Sequence, residues 1–371
     1  MVSNGPKYGG TCSRGNTLGI EKVPKRAPRT SVIVINWNGK HFLDTCLTAL
    51  RRQTFKDFET ILVDNGSTDG SQEHVRANFP EVRLLALGEN LGFTGGNIAG
   101  WNEARGELII LLNNDTEVHP QWLESIHEAA LAYPEAGGFA CKMLMFDERT
   151  RIDNCGFDLG ATGTSFDLGR GRADGPEWRS PREVFGACGG AAVYRRKMLE
   201  KVGFFDDDFF MTFEDVDLNF RAQLQGFKCM FVPGAIVYHH LRGTMRKHNA
   251  RQTFFSQRNN EYFYLKNMPL ALLVRFLPRR ILYEVGAFAY FCLLGQARPF
   301  LAAKLDVLKN LGPLLRKRQR VQRERTLSAG ELRRMMCADT LGNDLRRRWA
   351  KFRGALPATL RRRSRVTEGI S

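Results

Sequence analysis

The chain has 371 residues and eight cysteines, yet none of the cysteines forms a CxxC pair or a Cys/His group with zinc spacing. That excludes a zinc-held or dithiol module, and scattered single thiols fit a reduced, cytoplasmic compartment. No run of about 18–20 uncharged apolar residues occurs, which excludes a membrane-spanning helix. The opening MVSNGPKYGGTCSRGN lacks the apolar core of a secretory leader. No GxxxxGKS or GxxxxGKT motif is present, which argues against a P-loop. The first strand is followed by Trp37-Asn38-Gly39-Lys40 and not by GxGxxG, which disfavours a dinucleotide. Strong charge is also missing from most of the chain. Of the net +16, residues 316–371 carry +12, from 17 Lys or Arg against 5 Asp or Glu, and residues 1–315 only +4. The basic character therefore belongs to a tail. A nucleic-acid binder using that tail would lose affinity steeply with salt, but the tail shows no interleaved aromatics to read bases.

What is present is alternating strand and helix signal. Residues 1–28 are rich in Gly, Ser, Pro and Lys and read as a disordered lead-in. Order starts at Thr30. SVIVINW (31–37), Phe58–Val63, Val82–Leu87 and Leu108–Leu112 read as strands. His41–Gln53, Gln72–Asn78 and Asn97–Ala104 read as the helices between them, and Gly88–Gly96 as a loop. The order β-α-β-α-β-α-β implies a parallel sheet with right-handed crossovers. The glycine-rich stretch 141–185 reads as a lid or a long acceptor loop. Gly186–Tyr194 is a glycine turn with a short strand, and Val216–Gln225 a helix closed by Gly226. Lys228–Val232 and Ile236–Tyr238 read as two short strands. Residues 252–312 are largely helical, either as an interfacial amphipathic segment or as a pair packed on the body. The expected division is 1–28 lead-in, 29–245 catalytic domain, 246–315 helical extension and 316–371 basic tail.

Three carboxylates carry the chemistry. The apolar strand 108–112 runs into Asn113-Asn114-Asp115, which places Asp115 at the carboxyl rim of the sheet, where ligands bind. A carboxylate there can hold a hard cation, and the cation a phosphate; Asp115 and Thr116 as caps of a strand-to-helix turn would use the same residues. Asp64, at the end of the second strand, can accept a hydrogen bond from a nucleobase or cap the next helix. Asp215, in FEDVDL, opens a helix whose dipole favours its ionised form. It can take a proton from an attacking hydroxyl or serve as an N-cap. His239 or His240 follows a strand end and can join Asp115 on a metal.

The segments SVIVINWNG, ILVDNGSTDGS, ENLGFTGGNIAG, LLNNDTEV, CGGAAVYRRKMLEKVGFFDDDFFMTFEDVDLNFRAQLQGF and VPGAIVYHH, in this order over about residues 30–243, resemble family 2 glycosyltransferases of the GT-A fold, in the rhamnosyltransferase-like branch. The resemblance implies an α/β fold: a Rossmann-like, mostly parallel sheet flanked by helices, with a C-terminal helical extension. It implies Asp215 as catalytic base with Glu214 beside it. Asp115 and His239 would be ligands to Mg²⁺ or Mn²⁺. Asn36, Asp64, Asn65, Asn90, Gly92, Phe93, Asn97, Asn113, Asn114, Gly189 and Gly190 would form the nucleotide-sugar site. Asn113 stands where the family often has an acidic metal-motif residue. The implied donor is dTDP-L-rhamnose, with UDP-hexoses and UDP-galactofuranose as alternatives. The expected acceptor is a cell-surface polysaccharide or lipid-linked glycan, placed at the inner face of the cell membrane by the amphipathic and basic C-terminal third. The tail's arginine clusters read as a contact with anionic lipid or as a solvated tail with no partner. An inactive scaffold of the same fold is disfavoured because Asp115 and Asp215 are both retained.

Overall fold

The computed structural model describes residues 27–240 and 249–337; the lead-in reading of residues 1–26 and the basic tail beyond 337 lie outside them. In chain order the elements are β1 (Thr30–Asn36), α1 (Lys40–Arg51), β2 (Phe58–Asp64), α2 (Ser71–Asn78), β3 (Arg83–Ala86), α3 (Gly92–Glu103), β4 (Leu108–Asn113), β5 (Thr116–Val118), α4 (Trp122–Ala132) and β6 (Ala136–Met145). Then follow β7 (Ile152–Asn154), β8 (Phe157–Leu159), β9 (Ser165–Asp167), β10 (Arg182–Val184), β11 (Ala191–Arg195), α5 (Arg196–Val202), α6 (Glu214–Leu224) and β12 (Lys228–His239). The C-terminal helices are α7 (Ala250–Asn267), α8 (Leu270–Leu293), α9 (Ala297–Lys309), α10 (Leu311–Glu324) and α11 (Ala329–Met335).

One mixed sheet organises the molecule, in the order β10-β12-β6-β11-β4-β1-β2-β3, with β5 added to β12 and β7 to β6. Strand β1 lies parallel between β2 and β4. Its alternate residues therefore feed two cores, Val32 and Val34 on one face and Ile33 on the other. The register sets Asn36 opposite Asp64, and Ile35 opposite Asn113. Three strand ends thus meet at one carboxyl rim.

Four details differ from the sequence reading. Helix α3 starts at Gly92, so the loop ends at Leu91 and the helix begins five residues before Asn97. Glycines usually weaken a helix, but here they let it lie against the sheet: a Cβ on Gly100 would fall 2.5 Å from Ile33 Cγ2. Strand β6 was unread, because Gly137 and Gly138 interrupt its apolar run. Residues 141–185 are no single loop; they finish β6 and then form β7, the β8–β9 hairpin and β10. The two strands around Pro233-Gly234 are one strand, β12, whose register against β6 shifts between Val232 and Ile236.

Helix α7 packs on α6, and a third core joins β8, α6 and the C-terminal helices through Leu159, Phe220, Phe263, Val307 and Leu314. Among the described residues no helix is long and apolar enough to cross a membrane.

Candidate active site

The rim is wired by amides. Asn36 Nδ2 donates to Asp64 Oδ1 (2.9 Å) and Ser67 Oγ (3.2 Å), and Asn114 Nδ2 donates to Asn36 Oδ1 (2.7 Å). Asp64 is fully buried; its Oδ2 accepts from Ser67 N and Gln72 Nε2. In this conformation the Asp64 carboxylate therefore orders the loop after β2 and offers no oxygen to solvent. Asn65 is also buried. Its Nδ2 donates to Asn90 Oδ1 and to the Gly92 carbonyl, and its Oδ1 accepts from Leu91 N, so it clamps the loop onto the start of α3. Asn97 Nδ2 donates to the Phe93 carbonyl, while its buried Oδ1 has no partner.

The turn before β11 joins the two acidic centres. Asn113 N donates to the Gly190 carbonyl at 3.0 Å. Gly189 N donates to Asp215 Oδ2 at 2.8 Å. Phe93 reaches the same place: a Cβ on Gly189 would lie 3.4 Å from Phe93 Cε1 and from Asp215 Oδ2. Residues more than a hundred positions apart, Asn113 and Asp215, are thus one turn apart in space.

Asp215 is half-buried, and Glu214 is buried. Burial raises the Asp215 carboxyl above its ordinary value, and the N–H groups of Gly189 and Val216 pull it part of the way back. The expected dipole effect is outweighed, which makes Asp215 a stronger base than a free carboxylate. Burial and the adjacent Asp215 push Glu214 well above the carboxylate range, and its Oε2 has no partner. Glu214 is the more buried and the more strongly raised of the pair, so Asp215 is the base candidate.

The backbone entering this pair is strained. Thr212 and Phe213 both have positive φ, 67° and 69°, at a cost of about 1–3 kcal/mol each. Helix α7 supplies the compensation: Asn259 Nδ2 donates to the carbonyls of Met211 (2.8 Å) and Thr212 (2.9 Å). Asn259→Leu should leave both carbonyls unsatisfied and destabilise the protein by about 1–3 kcal/mol. Turnover should fall with it, as urea unfolding and rate measurements on one sample would record.

On the other side of the turn, Asp115 is buried at 8% exposure. β5 pairs with β12 so that Thr116 faces His239. His239 Nε2 lies 3.3 Å from Asp115 Oδ1, and its Nδ1 lies 2.8 Å from Asp153 Oδ2 on β7. His240 instead stacks on Phe146 at 3.5 Å. The choice between the two histidines falls on His239. Burial alone would lower its imidazole, but the hydrogen bonds to Asp115 and Asp153 outweigh burial and lift it to about 9. An imidazole nitrogen converging with a carboxylate, its other nitrogen fixed by a second carboxylate, could hold a divalent cation once the ring gives up its proton on the ion's arrival. The residues fit such an ion. Asp153 had no signal in the sequence, nor did Asn259.

A family model described as glycosyl transferase family 2 matches residues 31–203. The chain is 30% identical over 236 residues to N-acetylglucosaminyl-diphospho-decaprenol L-rhamnosyltransferase of Mycobacterium tuberculosis, covering 56% of this chain and 75% of that protein. It is 32% identical over 232 residues to O-antigen biosynthesis protein RfbC of Myxococcus xanthus, covering 59% of this chain but 18% of that longer protein's length. The crystal structure of GalNAc-T7 with UDP, GalNAc and Mn²⁺ shares the fold, with a TM-score of 0.52 at 15% identity over 65% of this chain and 48% of that one.

Proposed function

From the premise that the chain belongs to glycosyl transferase family 2, as a rhamnosyltransferase-like enzyme, we propose that it moves a sugar from a nucleotide-diphosphate donor to an acceptor hydroxyl in one inverting displacement. The observation that carries this reading is the 189–190 turn, which holds Asp215 on one side and Asn113, the last residue of β4 and two before Asp115, on the other. The Asp215 carboxylate takes the proton of the acceptor hydroxyl. The oxygen bonds to the anomeric carbon, and the nucleoside diphosphate departs from the opposite face with the electrons of the broken C–O bond. No protein nucleophile is needed, and the transition state has oxocarbenium character. Mg²⁺ or Mn²⁺ held by Asp115 and His239 would neutralise the diphosphate as it leaves. Asp153 fixes the ring of His239. Asp153→Ala should weaken Mn²⁺ affinity about 10–100-fold, read by calorimetric titration of Mn²⁺; unchanged affinity would remove Asp153 from the site.

The transferred sugar we assign is L-rhamnose and the acceptor a lipid-linked glycan, following the name of the mycobacterial relative, with dTDP as the carrier that the sequence resemblance implies. A thermal-shift screen of nucleotide sugars with Mn²⁺ tests this. A ligand at a hundred times its dissociation constant adds about 2.7 kcal/mol, and the largest shift should come from dTDP-rhamnose. A largest shift from a UDP-hexose or UDP-galactofuranose transfers the reading to that donor, and no shift from any donor ends it.

A further inference from the structure

Of the sixteen large apolar side chains exposed among the described residues, thirteen fall between Leu270 and Leu315. Such clustering is outside what a folded surface carries by chance, and marks a place where something docks. Helix α8 holds most of them, and its polarity is turned inside out. Its charged pair faces the protein: Arg280 lies 2.9 Å from Glu261 and 2.8 Å from Glu284, and Glu284 also binds Lys304. Its outward side is hydrocarbon, with Val274, Leu277, Ile281, Val285 and Phe288 recurring at three- and four-residue steps along one stripe. Helix α9 repeats this with Leu301, Leu305 and Leu308, and α10 with Leu311 and Leu315.

The charges beside this face have one sign. Arg275 and Arg279, four residues apart, flank the α8 stripe; both are exposed, and no ion pair involves them among the described residues. Neither α8 nor α9 exposes an Asp or Glu. Where α8 begins and α10 passes, Leu270 and Leu315 border a notch of about 330 Å³ that also contains Arg318 and Arg325. Burial, and after it the neighbouring Arg325, lowers the Arg318 guanidinium below its ordinary value, and its Nη1 donates to the carbonyls of Leu265 and Met268. A second copy of the chain fits this surface poorly. A two-fold contact would set arginine against arginine with no carboxylate between them.

We propose that the outward face of α8, continued by α9 and the start of α10, docks into the interfacial layer of an anionic phospholipid bilayer. The apolar stripe enters the acyl boundary, and the flanking arginines reach the headgroup phosphates. No described helix is long and apolar enough to cross, so the protein would lie on the membrane. The inference stands apart from the identity of donor and acceptor.

Flotation of the full-length chain with phosphatidylcholine vesicles, with and without phosphatidylglycerol, tests it. The protein should float with the phosphatidylglycerol vesicles, and less so in high salt. Ile281→Asp with Val285→Asp should cut the bound fraction at least about tenfold, since a charge replaces buried hydrocarbon. Arg275→Gln with Arg279→Gln, which touches no core residue, should weaken binding about fivefold per arginine on the anionic vesicles and leave the neutral ones unaffected. Thermal unfolding midpoints should match the parent. Absence of flotation, equal flotation of parent and variants, or a dimer in light scattering that the aspartates split without any vesicle binding would each overturn the proposal.

Discussion

Asp215→Asn should lower turnover by about two to four orders of magnitude while donor binding changes little. The amide keeps the shape of the carboxylate but cannot accept the proton of the acceptor. Glu214, buried and raised further by its acidic neighbour, should not take over. The hydrogen bond from Gly189 N to Asp215 Oδ2 can pass to the amide oxygen of the variant, so the turn that carries Gly190 and Asn113 should persist. Calorimetric titration of the donor and a steady-state rate on the same preparation separate the two effects. Full turnover in the variant would remove Asp215 from the chemistry.

The largest effect on stability should come from Lys266, on the inner side of α7. It is 1% exposed, pairs with Asp206, and lies 2.8 Å from Asp217 on α6. Asp217 is fully buried and also accepts from Arg221 and Asn267. Lys317 on α10 reaches Asp206 at 2.5 Å. Lys266→Met leaves two buried carboxylates short of their cation and should cost about 3–5 kcal/mol, measured by urea unfolding. The same network sets a pH dependence. Burial alone would raise the Asp206 carboxyl, but Lys266 and Lys317 outweigh it and hold the group well below its ordinary value. A carboxylate with a depressed folded value stabilises fully above the ordinary carboxylate range, and that stability is lost as pH falls toward the folded value. Acid should therefore erode the parent more steeply than Asp206→Asn, which lacks the stabilisation at every pH. Parallel acid-unfolding slopes would contradict the network's role.

The rim was legible because its signals are local. Each parallel strand ends where its apolar run meets a polar cluster, at Asn36, Asp64 and Asn113, and parallel pairing brings such ends to one edge. Asp215 was legible as a carboxylate at a helix start. Its upward shift was not, because the burial that causes it depends on how the 189–190 turn packs. That the ring of His239 reaches Asp115 depends on the face of β12 it occupies, and the register shift between Val232 and Ile236 hides that parity from any period-two count. Asp153 sits on a three-residue strand placed by long-range pairing with β6 and by hydrogen bonds to the 171–172 turn. Asn259, Lys266 and Asn267 carry no sequence signal beyond polar positions in a helical stretch; they are buried because α7 packs on α6 and on the loop that enters it. For Asp64 the sequence allows a nucleobase acceptor or a cap in the turn after β2; its oxygens here accept from Asn36, Ser67 and Gln72.

The stereochemistry of the transferred sugar tests the central claim most directly. With the donor found by thermal shift and a hydroxyl acceptor, the first product formed is collected before it equilibrates. Its anomeric configuration is read from the one-bond carbon–hydrogen coupling at the transferred anomeric carbon. A single displacement driven by Asp215 predicts configuration opposite to the donor's; product that retains the donor's configuration would contradict it.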